Sequence, residues 1–448
     1  MKIKLISPKM SLRPMDSEFK RRISPSLSLV TIAALIEDKH FVYIEDENAQ
    51  EINFNDSPDL VGITANVDTA KRAYEIAAKY KEKSVLTILG GIHVSANPEE
   101  ALKHADSVCI GEAEEIMEEI ILDAQQGMLK QRYYNPRPTG PQNIPLANWS
   151  LINKSKYLYT NIICSSRGCP FKCDFCYNSS PYVHNKYRNR SIDDILKEIQ
   201  QLETKQVMFI DDNFIGNPQH TTELVRKLKP LELTWHAAVS ANIVHMPKLL
   251  DEMKDSGCKS LFIGFESIND ESIESVHKVQ NNISQYEKLV QELHSRGIMI
   301  NASVVFGFDN DNANVFKNTL NWLVRNKIET MTAHILTPYP GTELYGKLLL
   351  ENRIIDFDTN HYNTANVVHK PKTMTEDELY QGYLWIYDQF YSFKNILKRL
   401  PEDKSQRTSY LLFNLGYRKF GKITSLLGKL GLMNLIGKLG RRLAYNIE

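Results

Sequence analysis

Over roughly the first 126 residues, short apolar runs alternate with longer stretches whose apolar positions recur with helical period. The short runs KIKLI (2–6), FVYIED (41–46), DLVGIT (59–64), VLTILGG (85–91) and SVCIG (107–111) predict strands. DTAKRAYEIAAKYKEK (68–83) and GEAEEIMEEIILDAQQG (111–127) predict helices between them. Near-continuous apolar strands separated by amphipathic helices imply a parallel sheet covered on both faces, a doubly wound, Rossmann-like α/β domain. In such a sheet a ligand sits beyond the carboxyl ends of the strands, here 64–69, 90–97 and 111–114. Thr64, Gly90, Gly91, His93 and Glu112 are the candidate contacts there, and the glycines would let a large flat ligand approach the backbone closely.

From about residue 127 the composition turns to Pro, Asn and Gly, which predicts a linker, placed at 131–157. A second strand-helix series follows. LYTNIICSS (158–166), QVMFIDD (206–212), TWHAAVS (234–240), KSLFIGFES (259–267), MINASVVFGF (299–308) and TMTAHILTP (330–338) predict strands. Stretches such as SIDDILKEIQQL (191–202) and NANVFKNTLNWLVRN (312–326) predict the intervening helices. Six β/α units imply a partial, TIM-like (β/α)6 barrel over 158–345, with chemistry at the C-terminal ends of its strands. Asp211, Asp212, Ser240, Glu266, Ser267 and Asp309 lie at or just beyond those ends. The expected division is 1–130, linker, 158–345, and a helical extension over 346–448.

The first strand of the second series runs into CSSRGCPFKCDFCYN (164–178), which holds four of the chain's six cysteines. A structural zinc site usually draws on two C-x2-C pairs far apart, and this chain has no second pair. Cys169, Cys173 and Cys176 instead form C-x3-C-x2-C on one tight loop shaped by Gly168 and Pro170. Three thiolates from one loop suit a 4Fe-4S cluster with one iron left open for a ligand. Cys164 reads as a small core residue, with a fourth cluster ligand or a redox partner as the alternatives, and Cys109 and Cys258 read as core.

Lysine plus arginine balance aspartate plus glutamate at 54 each, which gives no reason to expect a nucleic-acid partner. The opening segment lacks the apolar run of a signal peptide or membrane span, so a cytoplasmic location is expected. Charge is uneven at the other end. From Ser405 onward eight lysines and arginines face Glu448 as the only acid. Leu426, Leu430, Met433 and Leu443 fall near one side of a notional helix, with Lys438, Arg441 and Arg442 toward another. That composition suits peripheral contact with an anionic membrane face, or equally a segment packed across the barrel, since its glycines each weaken a helix by about 1 kcal/mol.

The C-x3-C-x2-C loop, with Phe175 before its last cysteine and Tyr177 after it, following the first strand of a β/α series, resembles the radical S-adenosylmethionine (SAM) enzymes. The resemblance implies that SAM binds the open iron through its amino and carboxylate groups. Reduction by a donor such as flavodoxin or ferredoxin then cleaves it to methionine and a 5′-deoxyadenosyl radical. Phe175, Asp211, Asp212, Ser240, Glu266 and Ser267 become SAM-binding candidates. "FIDDN" departs from the family's Gly-Gly-Glu segment, while Glu266 and Ser267 in "IGFES" look like its contacts to the SAM ribose and carboxylate.

A doubly wound domain ahead of such a barrel is similar to the cobalamin (B12)-binding subgroup, which includes hopanoid methylases. "SPSLSLVTIAALIE", "GGIHVSANPEEA", "ADSVCIGEAE" and "LTPYPGT" carry the likeness, which covers roughly residues 1 to 395. It implies cobalamin between the domains, with His93 near the corrin. The Asp-x-His-x-x-Gly motif that supplies a lower histidine ligand is absent. The expected function is a cobalamin-dependent radical SAM methyltransferase acting on a small molecule or lipid-like substrate with an unactivated carbon. The alternatives are radical coupling, cyclisation or rearrangement without methyl transfer, and a non-catalytic iron-sulfur or cobalamin sensor. Tyr339 is the candidate for quenching a product radical.

Overall fold

The fold is described from a computed structural model, for residues 1–16, 18–135, 137–181, 186–202, 204–419, 430 and 432–445. Two six-stranded sheets, each wholly parallel, account for its two halves. The first contains β1 (Lys2–Ser7), β2 (Phe41–Asp46), β3 (Leu60–Thr64), β4 (Leu86–Gly90), β5 (Ser107–Ile110) and β6 (Arg132–Tyr134), in the order β2-β1-β3-β4-β5-β6. Both of its faces are dry. Ile6, Val61, Ile63 and Leu89 pack against helix Ala70–Lys81 on one side, and Ile3, Leu5, Leu60 and Ile88 against helices Leu27–Ile36 and Met117–Gln125 on the other. Strand order reverses between β1 and β3, which opens a crevice at their carboxyl ends.

The stretch expected to be linker supplies β6, paired with β5 through Val108–Arg132 and Ile110–Tyr134. Only Tyr133 of β6 is buried. A one-sided edge strand of three residues leaves little apolar signal amid Pro and Asn.

The second half opens with β7 (Ile162–Ile163), followed by a small antiparallel pair, β8 (Ser166–Arg167) and β9 (Arg188–Asn189). It continues with β10 (Gln206–Phe209), β11 (Thr234–Ser240), β12 (Cys258–Glu266), β13 (Met299–Phe306) and β14 (Thr330–Ile335). The order β14-β13-β12-β11-β10-β7 runs in sequence, and β7 and β14 do not pair with each other, so the barrel is open. The one large core lies between this sheet and its helices, with Trp235, Leu261, Phe265, Ile300 and Leu323 among its buried members.

The free edge of β14 is covered from the C-terminal extension. The Tyr387 and Tyr391 hydroxyls accept from the amides of Ala333 and Met331, and donate to the carbonyls of the same two residues. Side chains thus replace the missing neighbour and remove an edge that would otherwise invite pairing with another chain. The extension itself is helical, through Glu376–Phe390, Phe393–Lys398, Arg407–Lys419 and Met433–Tyr445. Leu426, Lys422, Gly428, Lys429 and Gly431 of the basic tail lie outside the described residues. No helix among those residues is long and apolar enough to cross a membrane.

Candidate active site between the two sheets

The cysteine loop leaves β8 through Gly168, whose φ of +79° and Cβ clearance of 3.1 Å to the Lys186 carbonyl admit no side chain without strain. Beyond it the chain is pinned at several points. The Cys176 amide donates to the Cys173 carbonyl at 3.0 Å, the Asp174 amide to Val276 at 3.1 Å, and Leu344 donates back to Asp174 at 3.0 Å. His277 Nδ1 lies 2.9 Å from both oxygens of the Asp174 carboxylate.

Cys173 is buried, and Cys169 and Cys176 are half-buried. Burial pushes all three thiols up, Cys176 to about 12, and the charge of Cys173 adds to it at Cys169 and Cys176. No three such side chains among the described residues close on a single ion. Three thiol donors carried by one loop are the donor set of an iron-sulfur cluster that keeps one iron open. Gln280 donates toward Cys173 Sγ at 3.4 Å, and the buried Lys278 ammonium stands near the same sulfurs, so donors and positive charge await thiolate.

The strand-end residues divide by what they touch. Asp211 is 3% exposed and fully engaged, accepting from Ser165 Oγ at 2.8 Å, Ser166 Oγ at 2.5 Å and the Ser165 amide at 3.2 Å. Burial pushes its carboxyl up against those hydrogen bonds. Asp212 is exposed and receives the Tyr177 hydroxyl at 2.5 Å. Ser240 is held by Asn213 at 3.1 Å and donates to Asn242 at 2.6 Å. Glu266 takes a left-handed φ of +60° and pairs with Lys278 Nζ at 2.5 Å. Ser267 accepts from the Asn269 amide at 3.1 Å. Phe175 packs 6.3 Å from Phe308. Tyr339 packs partly buried against the Val67, Tyr362 and Val368 cluster, and burial pushes its phenol up.

A cavity of about 480 Å³ separates the cysteine loop from the first sheet. On the first-sheet side its walls are Gly62, Thr64, Gly90, Gly91 and Gly111 with the apolar Leu29, Ile32 and Ile88; on the other they are Cys164, Arg167, Tyr177 and Arg190. Gly91 has φ +102°, and a Cβ there would meet Ala65 backbone atoms at 2.8 and 2.9 Å. This glycine-floored, largely apolar slot fits a flat macrocycle lying on strand ends. Glu112 lines it as well, while His93 is wholly buried outside the wall, its Nε2 3.9 Å from Glu100. Cys164 borders the cavity, with Sγ donating to the Ser166 carbonyl at 2.7 Å, and Cys109 and Cys258 are buried in the cores.

Several residues that shape this region carry no local sequence signal. Arg188 clamps Glu112 with two bonds of 2.6 and 2.8 Å, and Arg167 bonds Glu114 at 2.5 Å, so the β8–β9 pair docks on the β5 loop of the first sheet. Lys278 lies in a turn twelve residues past its partner Glu266. Arg190, which in sequence suits a surface ion pair and carboxylate recognition equally, forms a buried pair with Glu198 at 2.6 Å.

The same two halves match known families. Residues 163–323 match the Radical SAM superfamily and residues 23–121 the B12 binding domain. The chain is 31% identical over 391 residues to bacteriochlorophyllide d C-12(1)-methyltransferase of Chlorobaculum tepidum, covering 84% of this chain and 85% of that one. It is 28% identical to the C-8(2)-methyltransferase of the same organism, over 86% and 89% of the two chains. Its fold matches the cobalamin-dependent S-adenosylmethionine radical enzyme OxsB, with aqua-cobalamin and S-adenosylmethionine bound, at a TM-score of 0.67 and 15% identity over 97% of this chain and 76% of that one. The chain belongs to the radical SAM methyltransferases that carry a B12-binding domain. Its cofactors are accordingly a 4Fe-4S cluster, SAM and cobalamin.

Proposed function

We propose that this chain methylates an unactivated carbon of a large, flat, mostly apolar substrate, a tetrapyrrole-like macrocycle before an acyl lipid. The observation that carries the reading is the shared chamber: one cavity runs from the glycine-rich ends of β3, β4 and β5 to Cys164 and Tyr177 beside the cysteine loop. A methyl donor and a radical source held in one chamber react by proximity rather than by collision. The names of both relatives, each a methyltransferase of a chlorophyllide, support the substrate class.

When bound, the cluster with SAM supplies a carbon-centred radical, and cobalamin supplies the methyl group. Cys169, Cys173 and Cys176 hold the cluster. Glu266, Ser267, Asp212 and Ser240 ring the SAM side, and Phe175 forms an apolar wall. Gly90, Gly91, Thr64 and Glu112 floor the cobalamin side. The reducing electron comes from a flavodoxin or ferredoxin type of donor. The tail rests on an anionic membrane face, which suits a substrate of low solubility. Helix Met433–Tyr445 supports this with the exposed Leu435, Leu439 and Leu443 and the exposed cations Lys438 and Arg442.

The test is anaerobic incubation of reconstituted protein with reductant, SAM, hydroxocobalamin and a magnesium chlorophyllide. The expected result is 5′-deoxyadenosine and S-adenosylhomocysteine rising together with a product one methylene heavier. Deoxyadenosine without S-adenosylhomocysteine overturns methyl transfer.

A further inference from the structure

Gln280 Nε2 donates to Cys173 Sγ at 3.4 Å, across 107 residues of chain. The amide is delivered by a turn that is fixed on both sides of it. Two residues earlier Lys278 pairs with Glu266 at 2.5 Å, and one residue later Asn281 Nδ2 donates to the carbonyls of Gly264 and Phe265 at 2.8 and 3.0 Å. All three partners belong to the end of β12, so the barrel strand positions the amide. The other end of the side chain gains nothing. Gln280 Oε1 is shielded from solvent and has no hydrogen-bond partner among the described residues. A buried carbonyl without a donor costs stability, so folding alone does not account for a glutamine at this place.

The three sulfurs differ in where their donors come from. Burial raises each thiol, and the Phe171 amide opposes that rise at Cys169, as the Asn178 amide does at Cys176. Each of these amides lies in the loop itself, two residues past its cysteine, and no side-chain substitution removes it. At Cys173 the groups that oppose burial are the Lys278 charge and the Gln280 side chain. The Lys278 charge is matched by Glu266, which acts on the same sulfur with opposite sign. The Gln280 amide is left as the donor aimed at the sulfur itself.

We propose that Gln280 sets how readily the cluster accepts its electron, by donating from Nε2 to Cys173 Sγ. A hydrogen bond to a ligand sulfur strengthens as negative charge on that sulfur grows, so it favours the reduced state and raises the reduction potential. The electron is the single one given up by the flavodoxin or ferredoxin type of donor. Gln280 acts through Cys173 and is a positioning residue, tuned from a turn remote in sequence from the cysteine loop. This rests on Cys173 ligating the cluster and not on the identity of the methyl acceptor.

The experiment is a reductive titration of the iron-loaded full chain followed by electron paramagnetic resonance, alongside iron and sulfide content and thermal unfolding. Gln280→Leu removes the donor and fills its space. Gln280→Asn keeps an amide but draws it back from the sulfur by one methylene. At a fixed solution potential the ratio of reduced to oxidised cluster is expected to fall about fivefold in both, part of the worth of a hydrogen bond to a charged acceptor. Iron content and the unfolding midpoint are expected to stay at wild-type values, whereas a merely structural role would move the midpoint and leave the potential alone. A wild-type ratio in both iron-loaded variants overturns the proposal. Loss of iron from both overturns it as well, by making Gln280 a support of the loop. A wild-type chain that takes up no cluster overturns the cluster reading itself, and the proposal with it.

Discussion

Lys278 Nζ stands 2.5 Å from Glu266 Oε1, and each side chain is only 9% exposed. The pair lies where the end of β12 meets the cysteine loop, with Nζ 5.8 Å from the Phe175 ring centroid. A buried ion pair offsets the desolvation of its two members only while both are present. Lys278→Met therefore leaves Glu266 charged and unpaired, at a cost of about 3–5 kcal/mol. The expected outcome is a lower unfolding midpoint together with reduced iron retention, since the cation beside Cys173 is lost as well. Replacing both residues by apolar ones restores much of the midpoint without restoring SAM binding. Recovery of full SAM affinity in the double variant would show the pair to be scaffold alone.

The cysteines separate by a simpler measurement. Cys173 is buried and its sulfur receives Gln280 at 3.4 Å, whereas Cys164 Sγ is turned to the Ser166 carbonyl at 2.7 Å. Alanine at Cys169, Cys173 or Cys176 is expected to abolish the cluster absorbance of anaerobically reconstituted protein. Cys164→Ala is expected to retain it, with iron and sulfide at wild-type content. Loss of the cluster in Cys164→Ala would make that sulfur a fourth ligand and close the open iron.

The contact between the two sheets carries a pH signature. Partial burial pushes the Glu112 carboxyl up, but the Arg188 clamp, Arg167 and the Thr139 amide outweigh it and bring it down to about 2. A carboxylate depressed from its usual value near 4.5 stabilises the native state above that pH and loses its contribution as pH falls toward 2. The linked free energy is on the order of 3 kcal/mol. Wild-type unfolding midpoints should fall steeply across that window, and Glu112→Gln should start lower at neutral pH and show a shallower acid limb. Identical limbs would mean that the clamp contributes no net stability.

How far the sequence leads depends on whether a contact is local. Strand candidates such as TWHAAVS and MINASVVFGF reappear as β11 and β13, because a strand buried on both faces writes its apolar run in consecutive residues. The C-x3-C-x2-C loop is likewise contiguous, and so are the glycine-rich ends of β4 and β5. Asp211 is legible as a strand-end acid but not as the cap of Ser165 and Ser166, which lie some 45 residues away. The Lys278, Arg188 and Arg190 pairs depend on how separate loops meet, and β6 depends on an edge already built. Such features exist only after the chain has folded.

At Gly91 a single methyl group is a sufficient probe. With φ at +102° and Ala65 backbone atoms 2.8 and 2.9 Å from where a Cβ would stand, Gly91→Ala must shift the β3–β4 crossover at the cavity floor. Backbone atoms, unlike a flexible side chain, give way only by moving their strand. The expected result is cobalamin affinity reduced by tenfold or more, with SAM-dependent deoxyadenosine formation in the absence of substrate preserved, since the cysteine loop lies on the other half of the chain. Undiminished cobalamin binding would mean that the floor is not where the corrin lies.

The tail prediction follows from a stripe. Leu435, Leu439 and Leu443 recur every four residues along helix Met433–Tyr445 and are 53%, 51% and 62% exposed. Leu412 and Phe413, on helix Arg407–Lys419, are each 40% exposed. An apolar stripe left in water beside exposed Lys438 and Arg442 is the arrangement of a helix that lies at a lipid headgroup boundary, where burial and charge attraction act together. Vesicles containing anionic lipid should therefore sediment the full chain at low salt, and less of it as salt screens the cations. Changing the three leucines to serine should leave the protein folded, because their side chains are already exposed, yet return it to the supernatant. Uncharged vesicles should capture little of either protein. Equal recovery of the full chain and the leucine variant in the supernatant, whatever the lipid charge, would remove the membrane from the account and leave the stripe without an assigned partner.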